Sequence, residues 1–290
     1  MPRADYQGWM AGAYDAGRRL SPAAVDAWAD AVGPFVGDVG RGPVLDLGAG
    51  TGRFSGLLAR WSGVAVIAVE PAVPMARRAR DKGSPGVEVV AGAAEAIPLR
   101  DRSVALAWLS QVVHHIDDLD RAASELGRVV RPGGRLLIRG TYGRDRSTGT
   151  PSADLAVYRY FPAARRIEDT FPTRRRVLDA LGAAGFEVET TVTVAQETAA
   201  SLHELHRRVA SRADSTLAAL GDDTFAAGLQ ALARDAAAET TPTPVVDHLD
   251  LTVLRLPREA HGPGARVTAQ AASVGSGRAR SGGPRPRGGG

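Results

Sequence analysis

The chain of 290 residues contains no cysteine. That excludes disulfides, thiolate metal centres and a cysteine nucleophile. Lysine is almost missing, since Lys82 stands alone while arginine carries the rest of the positive charge. Aromatic residues are only 5% of the chain. No apolar run reaches the length of about 18 residues that a bilayer-spanning helix needs, so no membrane association is expected. The opening MPRADYQGWM lacks the basic-then-apolar pattern of a secretory leader, which makes a cytoplasmic location the expectation. The formal net charge is +4, but the excess lies in one place. Arg258, Arg266, Arg278, Arg280, Arg285 and Arg287 face only Glu259 in the last stretch. The rest is close to neutral, so it offers no electrostatic groove for a phosphate backbone, and nucleic acid is not an expected partner.

What is present is a strand, a glycine turn and a helix in that order. VLDLGAGTGRF, Val44 to Phe54, begins with the apolar positions Val44, Leu45 and Leu47 of a buried parallel strand, broken by Asp46. Gly48, Ala49, Gly50 and Gly52 form the turn, where glycine permits positive φ and lets a ligand approach the backbone. Such a unit places a nucleotide-type cofactor at the C-terminal edge of a sheet. A dinucleotide site spaces its glycines G-x-G-x-x-G. Here the spacing is G-x-G-x-G and Arg53 fills the position of that third glycine, which argues against NAD. AVIAVEP, Ala65 to Pro71, reads as a second strand ending in Glu70. An acid about 20 residues past the loop, at a strand tip, suits the two hydroxyls of a ribose.

The rest of the chain alternates strands and helices. Ser21-Pro22 caps a helix through Val25, Trp28 and Val32 that stops near Gly33-Pro34. Further strands read at Val87–Val90, Val104–Leu109, Arg135–Arg139, Phe186–Val194 and Val246–Leu256. Arg131-Pro132-Gly133-Gly134 reads as a turn before the fifth strand. Thr173 to Ala184 reads as a helix stopped by Gly185. The alternation implies an α/β fold with a parallel sheet and right-handed crossovers. Three regions follow: a helical lid over 1–37, a core domain over 38–257 with an alanine-rich helical insertion at about 197–240, and a disordered basic tail over 258–290.

DLGAGTG followed by VEP resembles the class I S-adenosylmethionine-dependent methyltransferases, in the small-molecule branch that includes the ubiquinone- and menaquinone-biosynthesis type. AGAAEAIPLRDRSVALAWLSQVVHHIDD, Ala91 to Asp118, and LGRVVRPGGRLLI, Leu126 to Ile138, extend the resemblance. It implies a Rossmann-like, mostly parallel sheet of seven strands with helices on both faces and an antiparallel last strand. It implies S-adenosyl-L-methionine as cofactor and a small organic acceptor. Where the family often has an adenine-binding acid this chain has Ala93, leaving the backbone of Ala93 and Ala94 for that role. Where the family often has Phe-Asp on the fourth strand, it has Val104-Ala105.

Methyl transfer from a sulfonium is an in-line displacement that needs alignment and dryness, plus a base only for a proton of high pKa. No metal is called for. His203 and His206 sit three apart with only Glu204 nearby, too few for a metal site. Under the resemblance, Glu70 with Pro71 takes the ribose, and Asp46 steadies the loop or the cofactor's amino end. Tyr14 packs over the methionine end, Arg53 is a candidate for the cofactor carboxylate, and Ser110 and Gln111 line the pocket at the fourth strand's tip. His114 and His115 follow that tip and are candidate general bases, histidine titrating near neutrality. Two alternatives stand beside methyl transfer: a methyltransferase-like protein that binds the cofactor without methylating, and an NAD oxidoreductase. The last lacks its glycine spacing and a Tyr-x-x-x-Lys pair. The reading leaves a homodimer open.

Overall fold

The computed structural model describes residues 14–15, 17–37, 40, 42–144 and 155–258. The predicted basic tail, but for Arg258, lies outside the described residues, as do residues 1–13 of the predicted lid.

Helix α1, Pro22–Val36, starts as its sequence dictates: Ser21 Oγ accepts from the Ala24 amide at 3.1 Å. It does not stop at Gly33-Pro34 as predicted, but carries Pro34 inside and ends where Gly37 N–H donates to Gly33. The proline removes one helical hydrogen bond. Burial of Val32 and Val36 beside Trp28 offsets that loss, because packing of an apolar face stabilises a helix more than propensity does.

The sheet then builds through β1 (Val44–Leu47), α2 (Ser55–Ser62), β2 (Val66–Glu70), α3 (Val73–Asp81), β3 (Val87–Ala91) and β4 (Val104–Ser110). It continues with α4 (Leu119–Val129) and β5 (Val130–Gly140). A cap segment follows as a 3-10 turn at Ala156–Arg159 and α5 (Pro162–Glu168), then α6 (Arg174–Ala183) and β6 (Glu187–Ala199). Helices α7 (Leu202–Ala210), α8 (Ser215–Ala218) and α9 (Asp222–Ala238) precede β7 (Val245–Arg255). The seven strands lie in the order β3-β2-β1-β4-β5-β7-β6. Pairs among β1 to β5 are parallel, while β7 runs antiparallel to both β5 and β6. This is the predicted sheet with its antiparallel last strand.

The predicted turn at Arg131–Gly134 belongs to β5 instead. Val104 pairs with Val130 and Leu106 with Arg135, so the four intervening residues bulge from a continuous strand, with Gly133 at φ +83°. One face of the sheet packs α4 and α6 through Leu126, Val129, Val177 and Leu181. The other packs α1 and α2 through Trp28, Val32, Phe54 and Leu58. The cap helices have their own cluster, including Phe161, Leu205, Leu217 and Phe225. The predicted insertion begins later than expected, since β6 runs on to Ala199 and pairs with Val245.

Candidate active site

The β1–α2 turn bends toward β2: the amides of Gly48 and Ala49 both donate to the Val69 carbonyl, at 2.8 and 3.1 Å. Gly48 has φ +69° and a Cβ there would lie 2.3 Å from Val112 Cγ2, so both backbone and packing require glycine. Gly50 has φ +58°, but a Cβ would meet nothing within 4 Å. One side of the loop is therefore open for a ligand to approach the backbone.

Glu70 ends β2 directly against this loop and is buried. Its Oε2 accepts from the Gly50 amide and its Oε1 from the Ala72 amide, both at 2.8 Å. Burial raises its carboxyl above the usual value, and the two amide bonds pull the other way. Each oxygen keeps a second lone pair for a further donor such as a hydroxyl. Asp46 is expected to steady the loop or a cofactor amine; among the described residues the Gly50 amide of the loop meets Glu70. Asp46 Oδ2 instead accepts from Ser55 Oγ at 2.6 Å, inside the first turn of α2. Its burial pushes the carboxyl up to about 7, the Ser55 bond lowers it and the Glu70 charge adds to the rise.

The N-terminal segment is tied onto the same loop. Asp15 Oδ1 accepts from Thr51 Oγ1 at 2.5 Å and from Lys82 Nζ at 2.8 Å, and Lys82 also donates to Thr51 Oγ1 at 3.1 Å. Burial alone would raise the Asp15 carboxyl, but the Lys82 and Thr51 bonds prevail and hold it below its usual value. Tyr14 packs on Ala72 and Met75, next to Pro71 and Glu70. Arg53 donates to the Arg18 carbonyl at 2.6 Å. At the next strand tip, Gly92 donates to the Glu70 carbonyl at 3.4 Å, and Ala93 and Ala94 follow, with Ala96 donating to Ala93 at 3.2 Å. Their methyl groups offer no hydrogen bond, so any recognition there falls to backbone groups.

Ser110 and Gln111 stand at the tip of β4. Gln111 takes φ +56°, uncommon for a residue with a side chain, and its amide donates to the Arg139 carbonyl at 2.8 Å. His114 and His115 lie on the 3-10 turn Val113–His115. The His114 ring lies flat on Phe171, with centroids 4.1 Å apart and planes 3° from parallel. Burial, reinforced by neighbouring His115, holds the His114 imidazole well below its ordinary pKa, so it is neutral at pH 7. Both histidines line a chamber of about 720 Å³ with Ile167, Phe171, Thr216 and Leu220. Among the described residues no three side chains gather to hold a metal ion.

A polar network at the far half of the sheet was not foreseen. Gln196 Oε1 accepts from Trp28 Nε1 at 3.0 Å and from Arg139 Nη2 at 2.5 Å. Asp247 Oδ2 accepts from Thr198 Oγ1 at 2.5 Å, and Asp247 Oδ1 from the Ala156 amide at 2.9 Å. Arg139, Gln196, Thr198 and Asp247 line a small cavity of about 100 Å³ that Gln111, Arg18 and Arg53 also border. Helix α8 separates the two chambers, with Asp214 and Leu217 on the small side and Ser215 and Thr216 on the large.

Residues 45–138, from β1 to the middle of β5, match the methyltransferase domain family. The match takes in the glycine turn, Glu70 and the first five strands, so this segment is similar to a methyltransferase domain. Malonyl-[acyl-carrier protein] O-methyltransferase of Methylococcus capsulatus is 42% identical over 146 residues, covering 49% of this chain and 51% of the relative. Demethylmenaquinone methyltransferase of Thermobifida fusca is 36% identical over 125 residues, covering 42% and 48%. The chain thus spans about half the length of these curated relatives. Among solved structures, the [4+2]-cyclase SpnF aligns with a TM-score of 0.56 at 22% identity, over 84% of each chain. Geranyl diphosphate C-methyltransferase from Streptomyces coelicolor A3(2) aligns at 0.51 and 19% identity, over 80% of this chain and 76% of that one. These two share the fold, which by itself hosts more than one chemistry.

The residues present fit S-adenosyl-L-methionine, the cofactor that the resemblance implies. Gly50 leaves the loop backbone uncovered, and the Glu70 carboxylate is fixed beside it at the strand tip with lone pairs to spare. No helix among the described residues is long and apolar enough to cross a membrane.

Proposed function

We propose that the protein transfers a methyl group from S-adenosyl-L-methionine to a small organic acceptor, in the cytoplasm, by in-line displacement. The observation that carries this reading is the Glu70 carboxylate bonded to the Gly50 amide, at the adjoining tips of β1 and β2, beneath an uncovered glycine turn. When bound, the cofactor supplies a methyl group already activated by a positive sulfur. The chain's own residues then bind and align. Glu70, with Pro71 beside it, takes the ribose hydroxyls on its free lone pairs. Backbone groups of Ala93 and Ala94 meet the adenine. Gly48, Ala49, Gly50 and Gly52 form the floor, Asp46 faces the cofactor's cationic end, and Tyr14 closes that end. Ser110 and Gln111 bound the pocket toward the acceptor.

A neutral His114 pressed onto Phe171 serves as a wall of the large chamber, and its depressed pKa makes it a weak proton acceptor. His115 is then the better candidate base. The Asp15–Thr51–Lys82 contact lets the N-terminal segment close over the loop and exclude water. The names of the curated relatives, both methyltransferases, support the chemistry.

Calorimetric titration with S-adenosylmethionine and S-adenosylhomocysteine tests the cofactor site; failure of both to bind removes the reading. Incubation with methyl-labelled cofactor and a panel of metabolites tests transfer. Saturable binding with no label transferred to any acceptor would favour the non-methylating alternative.

A further inference from the structure

Arg139, at the end of β5, is 2% exposed and its guanidinium is hydrogen-bonded only to neutral groups, with Asp247 acting on it from a distance. Nη1 donates to Ser110 Oγ at 3.1 Å and Nη2 to Gln196 Oε1 at 2.5 Å, both neutral acceptors. Nε has no partner. The faces of Trp28 and Phe54 lie 4.8 and 5.2 Å from the guanidinium carbon, which attracts a cation but supplies no counter-charge. An isolated buried charge is costly, and an orphaned buried donor adds to that cost. Both fall away when an anion sits against the guanidinium.

The surroundings sharpen the point. Arg53 and Arg18 border the same cavity. Arg18 is paired with Asp214 at 3.0 Å. Asp247, the other acid in the wall, is engaged with Thr198 and the Ala156 amide. Burial pushes the Asp247 carboxyl up toward its neutral form, and it pushes the Arg139 guanidinium down with help from Arg53 and Arg18. The cavity is thus arginine-rich and small. At about 100 Å³ it holds roughly three waters or one small head group, each water taking about 30 Å³. A planar guanidinium in the wall suits a carboxylate better than a neutral head group does.

Arg53, the candidate for the cofactor carboxylate, borders this cavity at one side, but the strand residues in its wall lie away from the cofactor site. The cofactor residues sit at the tips of β1, β2 and β3. Arg139, Gln196 and Asp247 come from β5, β6 and β7, on the other side of β4, and Gln111 at the β4 tip lies between the two. We infer that the Arg139 cavity is the head-group site for a carboxylate on the methyl acceptor. The inference rests on the proposed methyl transfer and narrows its acceptor to an organic acid.

The test titrates the full chain, saturated with S-adenosylhomocysteine, with acetate and with neutral acetamide. Acetate is expected to bind saturably and acetamide at least about tenfold more weakly. Arg139→Gln is expected to cut acetate affinity by about tenfold or more while S-adenosylhomocysteine affinity stays within about threefold. Equal binding of acetate and acetamide would overturn the inference, as would acetate binding unchanged in Arg139→Gln. So would an Arg139→Gln protein that loses affinity for S-adenosylhomocysteine but not for 5′-methylthioadenosine, since the carboxylate held would be the cofactor's. If Arg139→Gln does not fold, the acetate–acetamide contrast in the wild type and a loss of acetate affinity in Arg139→Lys decide the matter. Failure of S-adenosylhomocysteine to bind the wild type sinks the methyl-transfer reading instead, and the same contrast in the cofactor-free protein still judges the carboxylate site.

Discussion

Cofactor binding should drive a proton off Asp46. In the empty protein burial holds this carboxyl at about 7, far above its usual 3.8. The cofactor brings an ammonium and a sulfonium, and a cation alongside favours the ionised form. Below pH 7 the empty site is mostly protonated and the loaded site is not, so binding releases protons. With a pKa of about 7, release amounts to about 0.9 proton at pH 6, about 0.5 at pH 7 and about 0.1 at pH 8. Each pH unit below 7 then costs about 1.4 kcal/mol, or about tenfold in affinity. Calorimetry at pH 6 in two buffers of different ionisation enthalpy measures the release directly. Asp46→Asn should abolish both the release and the pH slope. Affinity that stays flat from pH 8 to pH 6, with no buffer-dependent heat, would refute the reasoning. The empty protein carries the companion effect. The folded pKa is raised, so the native state holds the proton longer, and stability falls as pH rises from about 4 to about 7. The whole fall amounts to up to about 4 kcal/mol, of which urea melts at pH 5 and 8 would read about 2.5 kcal/mol and Asp46→Asn would remove it.

Glu70→Ala strips the acceptors from the half-buried Gly50 amide and the buried Ala72 amide and should cost about 1–3 kcal/mol of stability; urea melts measure it, and cofactor affinity should fall with it. Gly48→Ala meets both the positive φ and Val112, so a loss of about 2–4 kcal/mol is expected in the same melts. His114→Phe preserves the stack on Phe171, and transfer should stay within about threefold; a loss of about 100-fold or more would make His114 the proton acceptor. Asp15→Asn weakens a half-exposed pair and should cost only about 0.5–1 kcal/mol, yet hydrogen exchange at residues 14–18 should quicken.

The glycine turn, the two acids near it and the sheet's strands were legible because each is a local pattern: apolar alternation, glycine spacing, an acid at a strand tip. Which acid does what was not. Asp46 and Glu70 are both strand acids in the sequence, and only the bend of the turn toward Val69 shows that Glu70 meets the Gly50 amide. Pro34 and the Gly133-Gly134 pair signal breaks, but tertiary burial carried α1 past the first, and a bulge absorbed the second into β5. The helix of the cap at Pro162–Glu168 is short, and its apolar residues join a cluster with Leu217 and Phe225 far along the chain, so no familiar period announced it. Arg139 was hidden most deeply. It ended a predicted strand like any polar boundary residue, and its partners Ser110 and Gln196 are 29 and 57 positions away. No spacing rule links them.

The contact between Asp15, Thr51 and Lys82 has a practical corollary. Because Lys82 is the only lysine, an amine-reactive dye can report on a single side chain, and that side chain is the clasp holding the N-terminal segment to the turn. The labelling rate of this one side chain, read on its own peptide so that the α-amine does not count, becomes a clock for how often the clasp springs open, and ligands that seat the segment should slow it.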